Sequence, residues 1–221
     1  NAKICNLSQR KNYKNKILQN ICLLWDITDF FFIHSQSVIV TKLLITNYIN
    51  MSDKYVIGID LGGTNTVIGL VDVKGHILAK DDSIKTQAHP DIEEYTDSIA
   101  KVINKLAEEN GCVGKLEGVG IGAPMANYYT GEIVNAANLP WKGIVPLGWL
   151  IEKKTGLPTK VTNDANAAAI GEMKYGVAQG MKDFVYITLG TGVGSGIVAN
   201  GQLIYGHDGF AGELGHVTAP V

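Results

Sequence analysis

Cysteine is scarce in this chain. Only Cys5, Cys22 and Cys112 occur in 221 residues, and no two of them form a CxxC pair. That speaks against a disulfide framework or a self-contained metal site and makes a reducing, cytoplasmic setting the default expectation. Net charge is also small, at −2, so no general attraction to nucleic acid or an anionic membrane is expected. A long apolar run is missing as well. The stretch from Ile21 to Ile45 is apolar in patches, but Asp26, Asp29, His34, Ser35, Gln36 and Ser37 interrupt it. A membrane helix needs about 20 mostly apolar residues, and a secretory signal needs a compact apolar region before a small-residue cleavage site.

Glycine and proline are absent from the first 50 residues. All 26 glycines and all six prolines follow that point. The same 50 residues carry six basic and two acidic side chains, a local charge of +4, against −6 for the remainder. Met51 is the first methionine, and the chain begins with Asn1. Two readings of residues 1–50 stand: a targeting or membrane segment, or upstream sequence translated in frame with Met51 as the start. The second suits the composition better. We therefore expect residues 1–50 to be a leader outside the fold.

What is present points to a soluble globular protein. Hydrophobic residues make up 46% and charged residues 18%, an ordinary globular balance. The length allows one large domain or two small ones. Tyr55 to Leu61 (YVIGIDL) reads as a buried strand ending in a Gly-Gly turn, and Asn65 to Val73 as a second strand. Lys74-Gly75 is a hairpin turn before a third strand over His76 to Ile84. Pro90 and Asp91 open a helix running to about Asn110, with Ile92, Tyr95, Ile99, Val102, Ile103 and Leu106 at helical spacing and Gly111 beyond its end. Leu116 to Gly122 is another buried strand.

The long segment from Ala123 to Gly143 holds three aromatics and several asparagines, which favours a ligand-facing loop. A helix is expected over Pro146 to Thr155, a strand over Pro158 to Thr162, and an alanine-rich helix over Ala165 to Tyr175. Phe184 to Leu189 and Ser195 to Ala199 read as strands around a glycine-rich turn, and Asn200-Gly201 as a hairpin turn into Gln202 to Tyr205. This order predicts an α/β fold: a mixed sheet with helices packed on it. The restart at Phe184 repeats the opening at Tyr55, as two duplicated halves would. We expect a first domain over residues 51–182 and the start of a second over 183–221.

Four clusters have the chemistry of a site. Asp60-Leu61-Gly62-Gly63-Thr64 lies between two strands. It is either an ordinary tight hairpin or a cradle whose backbone N–H groups meet an anion. Asp60 at the strand end suits a hard cation such as Mg²⁺ through water. Leu189-Gly190-Thr191-Gly192-Val193-Gly194 repeats the design. It lacks the Lys-Ser/Thr of a Walker A loop, and a strand rather than a helix follows, so it is not a Rossmann fingerprint. Two such turns together suit gripping phosphates from both sides. In Thr162-Asn163-Asp164-Ala165-Asn166, Asp164 is either a helix N-cap or a general base that accepts a hydroxyl proton during phosphoryl transfer. In Gly212-Glu213-Leu214-Gly215-His216, a carboxylate and an imidazole suit vicinal hydroxyls, although a lone histidine is as often structural. Asp208 reads as a solvated turn residue.

DLGGT, the GIGAP strand end, NLPW, NDANAAA, LGTGVGSG and AGELGH follow one another in the order and approximate spacing of the ROK family, and the chain resembles that family's bacterial glucokinases over residues 54–221. The resemblance implies the actin/hexokinase, ribonuclease-H-like fold, in which two lobes close over ATP and a sugar. It implies Asp164 as the base that activates a sugar hydroxyl, commonly the 6-OH. Asn138, Asn163, Glu213 and His216 would hold other hydroxyls of a hexose. Asp60 would sit near Mg²⁺, and Gly62, Gly63, Thr64, Asn65, Gly190, Thr191 and Gly192 would line the ATP phosphates.

The family pattern is not followed everywhere. Met125 stands after Gly-Ala-Pro where the family often has glycine, which bears on sugar identity. Relatives continue past Val221 with a cysteine-rich Zn²⁺ segment, in which the residue matching His216 is also a ligand, so a truncated reading frame is expected. Full-length relatives are often homodimers. Kinases for N-acetylmannosamine, fructose or allose are alternatives. So is the family's sugar-responsive transcriptional repressor, although residues 1–50 lack the glycines, turn signal and recognition helix of a winged-helix domain. An actin- or chaperone-like ATPase would leave NDANA and GELGH unexplained.

Overall fold

A computed structural model describes residues 54–189 and 192–216, the last by its backbone alone. The leader, Gly190, Thr191 and the His216 side chain lie outside the described residues.

Strands β1 (Tyr55–Leu61), β2 (Thr66–Asp72) and β3 (Ile77–Asp81) form an antiparallel meander. Helix α1 (Ile92–Glu109) follows and leads into β4 (Leu116–Ala123), which pairs with β1 in parallel. Helix α2 (Leu147–Thr155) then leads into β7 (Thr159–Asn163), parallel to β4. The five-stranded sheet therefore runs β3-β2-β1-β4-β7. Helix α3 (Asp164–Tyr175) leaves directly from β7, and β8 (Phe184–Leu189), β9 (Val193–Ala199) and β10 (Gln202–Leu203) make a three-stranded antiparallel sheet.

Local chemistry sets each boundary. Asp91 caps α1 by accepting from the Glu93 N–H at 2.7 Å, and Gly111 beyond its end takes φ +65°. Tyr95, Ile99, Ile103 and Leu106 of α1 are buried against Ile57, Ile59 and Ile121 of the sheet. Each such side chain is worth roughly 2 kcal/mol of apolar transfer. The third strand is shorter than expected, because Asp81 accepts from the Ser83 N–H at 2.9 Å and turns the chain out of the ladder.

The segment between β4 and α2 also differs from expectation. It is not a plain loop. Ile133–Val134 (β5) and Ile144–Val145 (β6) form a two-stranded ribbon, and Ala126, Ile133, Ala136, Leu139 and Trp141 are buried in the core. Trp141 turns inward onto Tyr95, ring centroids 4.5 Å apart, and donates from Nε1 to the His89 carbonyl at 3.0 Å. Only part of this segment therefore remains free to face a ligand.

Helix α3 lies on the β8–β9 hairpin. A Cβ at Gly194 would sit 3.1 Å from the Ala165 Cβ, and one at Gly196 only 2.7 Å from the Ala169 Cβ. Glycines in the strand and alanines in the helix let the two backbones approach this closely.

Candidate active site

The parallel strands β1, β4 and β7 run the same way, so their carboxyl ends share one edge of the sheet. Asp60 pairs with Gly122, and Gly122 with Thr162, in one row across that edge. Ligands of open α/β sheets bind outside such carboxyl ends, where loops diverge. Every motif carried by the first sheet emerges here.

The turn after β1 is braced from behind. Gly62 donates its N–H to the Asn65 carbonyl at 3.1 Å. Thr86 Oγ1 donates to the Gly62 carbonyl at 2.8 Å, and the Thr86 N–H to the Thr64 carbonyl at 3.0 Å. Gln87 donates to the Gly63 carbonyl at 2.7 Å, and Lys85 to Asn65 Oδ1 at 2.9 Å. Consecutive residues 85–87 thus hold the carbonyl side of the turn, and a buried chain of hydroxyls continues inward through Thr66 to Tyr95 at 3.0 and 2.6 Å. Burial pushes the Tyr95 phenol well up, and the Asp60 carboxylate adds to that. The sequence reading missed Lys85, Thr86 and Gln87 because they lie where a strand was expected to end, with no local signal of this pairing.

The start of α3 is the second cluster. Asn163 Oδ1 accepts from the Ala165 N–H at 2.8 Å, so Asn163 is the N-cap and Asp164 the first helical residue. The capping reading of Asp164 is thereby corrected. Asp164 Oδ1 shares the same N–H at 2.8 Å. Burial raises the Asp164 carboxyl above its ordinary value, opposed by these backbone hydrogen bonds. Asn163 Nδ2 meanwhile donates to Glu213 Oε1 at 2.9 Å. Two residues that the resemblance implied as holders of sugar hydroxyls are therefore in contact beside Asp164.

A set of braces holds the Glu213 loop. Gly212, with φ +90°, sits 2.9 Å (as its would-be Cβ) from the Ser195 carbonyl, and Ser195 donates its hydroxyl to the Gly212 carbonyl. Asn127 Nδ2 donates to the Asp208 carbonyl at 2.7 Å, and the Tyr129 hydroxyl to Gly206 at 2.9 Å. Tyr128 and Tyr205 stack with centroids 4.0 Å apart. Burial pushes the Tyr205 phenol upward. The neighbouring Thr162 hydroxyl is buried without a bond of good geometry. None of these braces was legible beforehand, because each joins residues distant in sequence.

Asn138 lies against the first turn: a Cβ at Gly63 would sit 3.0 Å from the Asn138 carbonyl. Thr64 is exposed and Asn65 half-buried. A Cβ at Gly192 would meet open space. No cluster of three His, Cys, Asp or Glu side chains occurs among the described residues. For Mg²⁺ this still fits, because that ion is ordinarily held by one or two carboxylates, water and phosphate oxygens. Zn²⁺ does not fit the described residues. Cys112, the described cysteine, is buried in the core and bonded to the Asn110 carbonyl. No helix among the described residues is long and apolar enough to cross a membrane.

The sheet order, the crossovers and the site at the strand ends define an α/β protein of the actin/hexokinase-like fold. The chain belongs to the ROK family, which it matches over residues 56–221. It is 42% identical over 170 residues to a glucokinase of Halalkalibacterium halodurans, covering 76% of this chain and 51% of that protein. A ROK family glucokinase from Streptomyces griseus, solved in complex with glucose and AMPPNP, superposes with a TM-score of 0.63 at 39% identity, over 74% of this chain and 50% of that one. A xylose repressor of Caldicellulosiruptor bescii is 33% identical over 171 residues, covering 74% of this chain and 41% of the repressor. The chain thus spans about half the length of the curated relatives it matches.

Proposed function

We propose that the full-length protein is an ATP-dependent hexose kinase that converts glucose to glucose 6-phosphate, with Asp164 as general base. The observation that carries this reading is Asp164 itself. Its half-buried carboxylate stands at the first turn of α3, holds its proton more tightly than an ordinary aspartate, and lies beside the joined Asn163 and Glu213. A base whose pKa moves toward neutrality is a better proton acceptor. The glucokinase relatives support the same reaction.

ATP, when bound, supplies the phosphoryl group. Asp164 would take the proton from the sugar hydroxyl. Asn138, Asn163, Glu213 and His216 would orient the ring through its other hydroxyls. Gly62, whose N–H is held by the Asn65 carbonyl, would shape the first turn, the N–H groups of Gly63, Thr64 and Asn65 and the turn Gly190 to Gly192 would line the phosphates, and Asp60 would hold Mg²⁺ through water. Catalysis would then be positioning and charge stabilisation. Residues 51–182 would form the first lobe and residues 183–221 the start of a second, in a cytoplasmic enzyme that pairs as a homodimer. A zinc site involving His216 would need residues beyond those described.

The test is phosphorylation of a panel of hexoses by the full-length protein. Glucose should be the preferred acceptor. Asp164→Ala should lower kcat by about 10²–10⁴-fold, the usual contribution of a general base, while sugar binding is kept. Wild-type protein that phosphorylates no hexose sinks the reading. The repressor relatives favour one competing outcome, salt-sensitive binding to promoter DNA, which the same preparation can be tested for.

A further inference from the structure

We propose that Gln87 is a positioning residue that clamps the phosphate turn to the sugar loop. Its catalytic consequence rests on the kinase reading above, but the clamp itself does not. Gln87 sits in the 3-10 turn Thr86–Ala88. Its Nε2 donates to the Gly63 carbonyl at 2.7 Å and to the Asn138 carbonyl at 2.9 Å. A side-chain amide nitrogen carries two hydrogens, and both are used. The acceptors belong to different loops: Gly63 to the turn after β1, and Asn138 to the segment before β6.

Asn138 also packs directly on Gly63, but among the described residues Gln87 is the side chain that hydrogen-bonds to both loops. Lys85 and Thr86 hold the turn at Gly62, Thr64 and Asn65, and their bonds do not extend to Asn138. The sugar loop has its own anchors in buried Leu139 and in Trp141, bonded to His89. Lys142 ties the Ala137 and Leu139 carbonyls on either side of Asn138, and Gln87 adds the hydrogen-bonded link from Asn138 itself to Gly63. Gln87 is exposed, so truncating it opens no cavity. Its loss should move loops without melting the fold.

Holding phosphate-facing and sugar-facing groups in one frame fixes the approach of hydroxyl to phosphorus, and small misplacements there are costly. Ordering one loop by its ligand would also help order the other, an effect that must be reciprocal.

The experiment compares wild-type full-length protein with Gln87→Ala and Gln87→Glu. Glutamate keeps the shape but places a carboxylate, which cannot donate, against two carbonyl oxygens. Both variants should lose roughly tenfold in kcat/KM for hexose and for ATP, mainly through kcat, because the bound hydroxyl and phosphorus are held less well aligned. Unfolding midpoints should stay within about 2 °C of wild type. Amide hydrogen exchange should quicken at residues 62–65 and 136–139 together. Unchanged exchange at either loop, or unchanged kcat/KM for both substrates, overturns the clamp. Should the wild type phosphorylate no hexose, the kinase reading falls and the exchange measurement alone decides this inference.

Discussion

Asp164 carries an electrostatic cost that sets its own signature. Burial raises its carboxyl above the ordinary 3.8, so the folded protein binds this proton more tightly than the unfolded chain. The cost therefore builds as the pH rises above about 3.8, is complete above the folded value, and vanishes in stronger acid, where both states are protonated. Asp164→Asn should accordingly raise the unfolding midpoint at neutral pH and lose that advantage in acid. The acid limb of the pH–rate profile should lie above the ordinary aspartate range and vanish with the same variant. A limb unchanged in Asp164→Asn would assign it elsewhere.

Met125 carries a different cost. It adopts φ +53°, a left-handed conformation that penalises a side chain by about 1–2 kcal/mol. Its side chain nonetheless packs on the core. Met125→Gly relieves the strain and loses the packing, so stability should change by less than about 1 kcal/mol. Met125→Ala keeps the strain and should cost about 1–2 kcal/mol. Urea denaturation of the two variants reads this reversal of the usual order.

At the scale of elements, α3 joins its helix cap to the Glu213 loop through one residue, which on the proposed function is also a sugar ligand. Asn163 caps the helix with its oxygen and holds Glu213 with its nitrogen. Asn163→Asp keeps a good cap but removes the donor to Glu213, so stability should fall by about 1–3 kcal/mol at neutral pH. It also sets one carboxylate against another, so sugar affinity should fall. Calorimetric titration with sugar separates the two effects. The packing of α3 on β9 makes a second prediction. Gly196→Ala would place a Cβ 2.7 Å from that of Ala169, and the forced separation should cost about 1–3 kcal/mol. A variant as stable as wild type would refute this close approach.

For the whole molecule, the outward face of β8 is the exposed feature. Val185, Ile187 and Leu189 alternate along the strand and are 51%, 50% and 82% exposed. Among the described residues, strand β8 is also an edge of its sheet. An apolar face beside open backbone donors and acceptors favours association. The 221-residue chain on its own should self-associate with rising concentration in light scattering, and Val185→Thr with Ile187→Thr should reduce this. A monomer at all concentrations would contradict it.

Much of this molecule was legible in its residues alone. DLGGT, NDANA and GELGH are short strand, turn and helix-start signals whose meaning is local, so the strands, helices and the sites of the turns follow from neighbours in the chain. Periodicity likewise marked Tyr95, Ile99, Ile103 and Leu106 as the buried side of α1. Local sequence does not determine which distant groups meet. That Asn163 rather than Asp164 caps α3 depended on where the pairing of β7 with β4 ends. That Trp141 turns inward, that Glu213 reaches Asn163, and that residues 85–87 brace the first turn depended on packing of the sheet, helices and connecting loops. Hydrogen bonds between remote residues form only once apolar burial has brought their backbones together, and that is decided by the tertiary structure.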